Sequence, residues 1–357
     1  MAFDLSNLDF NGKEVMALGE TIQESVFTNP EMSLFHEFVE GIKAKQQIAI
    51  LGIVDGLTGL GDGGCDPTVD VLDISSIQKF WEPESVSNRF AYCWTELKGT
   101  FFIWATKNGL EISDLTGTDY LNFIEERLSA ALAEEVLRVA WFSDLTAANV
   151  SGAGVITNGT NLGYFNKIDG FFKQIFTIVA ADSARLTAGL DTRNAGVSYA
   201  AQEFDATDVT NRVVTNTLQN MRYGADNRFR SNPSLMYVVT QSVYDQYERE
   251  LTEANVAFTT ERLENGMSQL SSGSITVVAF DFWDRIIRAY EDNGTTYNLP
   301  HRAVLLTKEN MQVGTEAIGN LSEIDVFYHR KDKKNYVDTA YRIDVKIIKD
   351  ENIQVAY

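Results

Sequence analysis

The chain has 357 residues, 44% of them hydrophobic, 11% aromatic and 22% charged, which excludes a disordered polymer and leaves length for two or three packed units. Acidic residues outnumber basic ones 50 to 30, and the formal charge of -20 opposes adhesion to nucleic-acid phosphates or anionic lipid, so a basic nucleic-acid binder is excluded. Two cysteines, Cys65 and Cys93, with only His36, His301 and His329, supply neither a disulfide framework nor a zinc ribbon.

Asp4 and Asp9 stand where a secretory signal carries Lys or Arg, and no run approaches the roughly 18 apolar residues of a membrane span, so a soluble cytoplasmic chain is expected. Val15, Leu18, Ile22 and Val26 recur at helical spacing, and after Asn29-Pro30 a second short helix is expected to carry Leu34, Phe35, Phe38 and Ile42. The apolar run Ile48 to Val54 reads as a buried strand. A return strand starts near Val69, Val71 and Ile74, beyond a loop of Gly56, Gly59, Gly61, Gly63 and Gly64, so the pair forms a long hairpin with a glycine tip.

Phe90, Cys93, Leu97, Phe101 and Trp104 fall at intervals of three and four, while Phe90, Tyr92 and Trp94 alternate like a strand; the helix is the preferred reading for Ser85 to Trp104. The clearest element follows. Thr116 and Asp119 make an N-terminal capping signal, and Leu121, Ile124, Leu128, Leu132, Val136 and Val139 form one apolar stripe to Phe142, a helix about 39 Å long. A polar, Gly-rich stretch from Thr146 to Asn161 breaks the pattern, and Phe165 to Ala180 reads as another helix. Val209, Val213, Leu218 and Met221 suggest a helix, Leu235 to Thr240 a strand, and Val243, Tyr247 and Leu251 a helix. Ile275 to Phe280 and Arg302 to Thr307 add two strands, which makes a compact α/β unit. At the C-terminus Ile324, Val326 and Tyr328 alternate, Lys331 to Asn335 form a charged turn, and Tyr341, Ile343, Val345 and Ile347 alternate on the return.

Chemistry is thin in this sequence. Gly59-Leu60-Gly61-Asp62-Gly63-Gly64 has the letters of a dinucleotide fingerprint, but Cys65 to Val69 starts an extended segment where the fingerprint needs a helix, and Asp62 would repel a phosphate. Asp55, Asp62 and Asp66 do not follow the calcium-loop ladder, and an unliganded acidic loop is favoured. None of the histidines has a cysteine or serine at a telling spacing, so surface or half-buried positions are expected for them. No catalytic residue, cofactor or metal site is read. Arg330, Lys331, Lys333 and Lys334 form a basic turn in an acidic chain, either a solvated tip or a contact to a neighbour's acidic surface.

The order of parts carries more than any motif: an N-terminal arm, a long hairpin with a glycine tip, one very long helix, an α/β unit and a return to antiparallel strands. This order resembles the major capsid protein of tailed bacteriophages, an α+β fold also used by encapsulin shells and herpesvirus capsid floors. Asn232-Pro233-Ser234 followed by the strand Leu235 to Thr240 looks like that family's lead-in to its axial domain. Pro300 to Asn310 with Gly314 looks like the strand and turn that lead back out. Gly41-Ile42-Lys43 and the stretch from Trp81-Glu82-Pro83 to Cys93 look like a subgroup of such proteins.

The resemblance implies an arm over 1–45, an extended hairpin loop over 46–82, a peripheral domain over 83–200 with a spine helix at 118–143, an axial domain over 201–321, and strands over 322–357 returning to the peripheral domain. It implies a major capsid protein without enzymatic activity, assembled in a bacterial host cytoplasm into an icosahedral head. Its partners would be copies of itself in pentamers and hexamers, a portal, separate scaffolding or decoration proteins, and packaged DNA held by weak nonspecific contact, with no membrane. About 45 residues precede the hairpin, so a fused scaffolding segment is not expected. The encapsulin-type compartment is the alternative, and a cytoplasmic enzyme the alternative from another class. The apolar hairpin is expected to pack on a neighbour, placing Ile50, Leu51, Val54, Gly61, Val69 and Val71 at a subunit interface together with Arg330, Lys331, Lys333 and Lys334. Some relatives weld subunits through a lysine and an asparagine; Lys43, Lys98 and Lys107 lie outside the hairpin, whose charges read as Asp55, Asp62, Asp66, Asp70 and Asp73, so a non-covalent shell is expected.

Overall fold

The computed structural model describes residues 30–51, 76–93, 117–263, 267–272, 274–316, 325–329 and 334–357. Helix α1, Pro30–Phe35, ends where strand β1, Glu37–Val39, begins, so the second short helix expected from sequence stops before Phe38 and Ile42. Phe38 lies instead on this strand, which pairs in parallel with β10, Met311–Thr315, opposite Val313, and Ile42 follows the strand as a buried residue. Strands β2, Gln46–Leu51, and β3, Ser76–Trp81, pair antiparallel from Gln46↔Trp81 to Leu51↔Ser76, which is the root of the expected hairpin. The helix at Val15 to Val26, the glycine tip and the start of the return run lie outside the described residues.

Of the helix expected over Ser85 to Trp104, the part to Cys93 is corrected by β4, Glu84–Cys93, whose ten residues pair antiparallel with β12, Lys334–Ile347, from Glu84↔Ile343 to Cys93↔Lys334; the remainder lies outside the described residues. Period two governs over these ten residues because a long partner strand is available. Helix α2, Gly117–Phe142, is one continuous element of 26 residues. It buries Leu128, Leu132 and Val136 in the same core as Val86, Tyr341, Ile343 and Val345. Its last turn carries Trp141, which is fully buried and lies 5.1 Å from Phe171 and 4.7 Å from Trp283 between ring centroids. Helix α3, Phe171–Ala181, begins later than the expected Phe165, because Asn166 and Ile168 form a short bridge and extended Gly170 is the N-cap.

The single helix suggested by Val209 to Met221 is two. Arg212 takes a left-handed conformation (φ 51°) between α4, Ala206–Asn211, and α5, Val213–Gly224. The break is stabilised from a distance: the buried Glu250 carboxylate accepts from the amides of Val214 (3.0 Å) and Thr215 (2.7 Å), supplying the anionic cap that α5 lacks locally.

Strands β5, Leu235–Val239, β8, Ile275–Ala279, and β9, Ala303–Thr307, occupy the places expected. They are the centre of a six-stranded mixed sheet in the order β13-β9-β5-β8-β7-β6, with β6 at Glu261–Arg262, β7 at Ser268–Ser272 and β13 at Gln354–Ala356. Alternate residues face two cores. Tyr237, Val277 and Leu305 pack with α5 and with α6, Gln241–Glu253, whereas Val238, Val278 and Val304 pack with α7, Asp281–Tyr290, and with α2 and α3. Burial on both faces is why these strands read as unbroken apolar runs.

The second sheet runs β1-β10-β12-β11, with β4 also paired to β12; β10 spans Met311–Thr315, β11 Asp325–His329 and β12 Lys334–Ile347. A 3-10 turn at Lys308–Asn310 joins β9 to β10 and so links the two sheets. The tail does not stay with these strands throughout: β13, Gln354–Ala356, pairs with β9 at the edge of the six-stranded sheet, where Val355 and Ala356 are buried.

Candidate subunit interface

Of the residues nominated for subunit contact, Ile50 and Leu51 lie on β2, opposite Ile77 and Ser76. Lys334 opens β12 opposite His329 on one side and Cys93 on the other. Val54, Gly61, Val69, Val71, Arg330, Lys331 and Lys333 lie outside the described residues.

What the structure adds is how the hairpin root is held. Trp81, 3% exposed, and the buried Ile42 close over Gly314 of β10; a Cβ at Gly314 would lie 2.8 Å from the indole carbons and 2.7 Å from Ile42 Cδ1. Only glycine fits that crossing. The next residue is tied as well: the Glu82 amide donates to Asp344 Oδ2 (2.7 Å), and Asp344 also accepts from its neighbour's amide and from Lys346 (3.3 Å). Burial pushes the Asp344 carboxyl above its ordinary value, with the Lys346 charge acting against that shift.

The reading of an all-acidic hairpin is corrected by Lys79 on β3, whose ammonium donates to the Ile347 carbonyl (2.5 Å) and to Asp350 (2.5 Å). A lysine therefore sits in the return strand, but it clasps the hairpin to the chain's own tail. Outside the root, Lys45 pairs with Glu82 and lies 4.9 Å over the Phe80 ring, and this hydrogen-bonded ammonium holds the exposed Glu82 carboxyl below its usual range. Nothing in the sequence linked Asp344, Gly314 and Trp81. Their only advance signal was the Trp81-Glu82-Pro83 phrase and the glycine after the turn.

Two of the three histidines expected at or near the surface are buried, His36 at 0% and His301 at 5% exposure. His36 stacks on Phe171 (5.2 Å) and donates from Nδ1 to the Met32 carbonyl (2.9 Å); burial lowers its pKa to about 4, so it is neutral and docks α1 on the aromatic core. His301 lines a cleft of about 640 Å³ and resembles half of a nucleophile–base pair, with Nδ1 2.8 Å from Ser242 Oγ. Its Nε2 faces the Gln202 carbonyl at 2.6 Å, so Nε2 carries the proton and Ser242 donates to Nδ1. Burial lowers its pKa to about 4. The amides that an oxyanion would need at the start of α6 are engaged by Asp284, which accepts from Gln241 (2.7 Å) and from Ser242. Together with Asn194, which exchanges hydrogen bonds with the His301 backbone at 2.8 and 2.9 Å, this network fastens 194–204 to the six-stranded sheet. Among the described residues no cluster could hold a metal ion, and no helix is long and apolar enough to cross a membrane.

A spine helix under a long antiparallel sheet, a hairpin rooted beside it, and a helix-covered mixed sheet reached through a single 3-10 turn together make the major capsid fold of tailed phages. The likeness is measurable against a chain of the satellite phage P4 procapsid including the size determination (Sid) protein: TM-score 0.50 and 12% identity, over 98% of this chain and 91% of that one. Similarity also extends to Gordonia phage Cozz (TM-score 0.49, 11% identity, 90% and 84% coverage) and to the SrpI encapsulin of Synechococcus elongatus (0.44, 11%, 90% and 84%). The assignment of fold rests on the first of these. No family model matches the sequence, and no curated protein matches it.

Proposed function

We propose that this chain is the major capsid protein of a tailed phage, a subunit that assembles with its own copies into pentamers and hexamers of an icosahedral head around double-stranded DNA. The observation that carries the reading is a capsid fold spanning 98% of the chain, with the hairpin root braced rather than loose. On this reading α2, α3 and the sheet of β4, β10, β11 and β12 form the peripheral domain, and the six-stranded sheet with α5, α6 and α7 forms the axial domain. The hairpin 46–82 reaches a neighbouring subunit with Ile50, Leu51, Val54, Gly61, Val69 and Val71, and the basic turn Arg330 to Lys334 meets carboxylates there. Many modest contacts, repeated by symmetry, supply stability that no single pair has. The charge of -20 suits a lining that does not condense the genome itself. Portal, scaffolding and decoration proteins complete the set of partners, the protein works as a shell and not as an enzyme, and assembly takes place in the host cytoplasm.

Sedimentation and electron microscopy of the purified full chain test this: capsomers or megadalton particles are expected. A small oligomer at every concentration and salt tried sinks the reading. Particles that enclose a protein cargo and no nuclease-protected DNA when isolated from the native host move the assignment to an encapsulin.

A further inference from the structure

The last turn of α5 and the helical turn after it place Arg222, Tyr223, Arg228 and Arg230 in one short stretch. Among the described residues none of these three arginines pairs with a carboxylate. Asp226, the carboxylate nearest in sequence, is engaged as a helix cap by the Arg228 amide (2.8 Å). Tyr223 is 64% exposed with the Arg230 guanidinium 5.5 Å over its ring, and Arg222 Nε is buried without a hydrogen-bond partner. Favourable interaction with helix C-termini accounts for cations in these turns. It does not account for a large aromatic ring left in water beside them, nor for a buried donor without a partner in the same turn.

We propose that this face receives a carboxylate-bearing surface of a second copy of the chain, an inference that rests on the shell-forming reading. Planar guanidinium groups match carboxylates in pairs, and arginine with tyrosine is the composition of the centre of a protein interface. The complementary charge is on the same sequence, where carboxylates exceed cations 50 to 30. A nucleic acid is disfavoured as the occupant, because a long polyanion would run past three cations onto a surface of net charge -20.

The test uses the full chain with Arg228→Lys, which keeps the charge and introduces an amine for zero-length carbodiimide coupling. Assembled from a mixture of isotope-labelled and unlabelled copies, it should give an amide joining position 228 to an acidic peptide of the other isotopic form. Links within one copy only, or none at 228, overturn the proposal. Arg228→Glu with Arg230→Glu should raise the concentration needed for particles about tenfold at physiological salt. Unchanged assembly of that variant overturns the proposal while wild-type particles leave the shell reading standing; a wild type that never assembles overturns the shell reading itself. A labelled single-stranded DNA oligonucleotide provides the other arm: binding by the wild type that the double variant loses, with assembly unchanged, assigns the face to nucleic acid instead.

Discussion

Gly314→Ala tests whether the hairpin root is set by close packing. The added methyl would stand 2.7 Å from Ile42 Cδ1 and 2.8 Å from Cε3 and Cζ3 of Trp81. Carbon atoms rest at about 3.5–4.0 Å, so about 1 Å must be recovered. The isoleucine end can rotate away. The indole cannot: it is 3% exposed, and the following amide is held by Asp344 at 2.7 Å. Overpacking of this kind costs about 1–3 kcal/mol, which for a chain of this length lowers Tm by roughly 1.3–4 °C. Thermal melting of unassembled protein reads the cost, and sedimentation of assembled protein reads its consequence, with particle yield expected to fall more steeply than Tm because the hairpin is displaced. Adding Ile42→Val removes one contact and should restore less than half of the loss, since the indole contact remains. A Gly314→Ala protein that melts within about 1 °C of wild type and assembles normally refutes the account of the root.

Leu132→Asp would bury an unpaired charge where Leu132 is now 7% exposed against the C-terminal strands, at a cost of several kcal/mol; unchanged melting and assembly would remove α2 from its role as spine. Burial raises the Asp284 pKa from 3.8 to about 6. The folded state therefore binds that proton more tightly than the unfolded chain, and about 3 kcal/mol of stability present at low pH is lost as pH rises through the interval from 3.8 to 6. Asp284→Asn keeps an oxygen for the Gln241 amide, so it should melt above wild type near neutral pH and lose that advantage below about pH 4, whereas an equal gap at both would contradict the burial argument. Moderate salt should favour assembly by screening the charge of -20, and boiling in detergent should release single chains; a covalent ladder, or particles that dissolve as salt rises, would contradict a non-covalent shell.

Local pattern determined a good deal of this protein. The stripe through Leu128, Leu132 and Val136 specified α2, and the apolar runs at Leu235, Ile275 and Ala303 specified three strands, because a helix or a doubly buried strand repeats its burial at a fixed period. The order of those elements carried the fold. Tertiary structure decided the rest, wherever the controlling partner is far along the chain. Residues 84–93 fit two periods, and β12 selected the strand; His36 and His301 gave no sign of burial until Phe171 and Gln202 closed on them. The break at Arg212 depends on the carboxylate of Glu250, far along the chain on another helix, and Gly314 matters because Trp81 and Ile42 cross it. Periodicity records that a face is covered. What covers it is settled by packing between segments that the chain brings together only on folding.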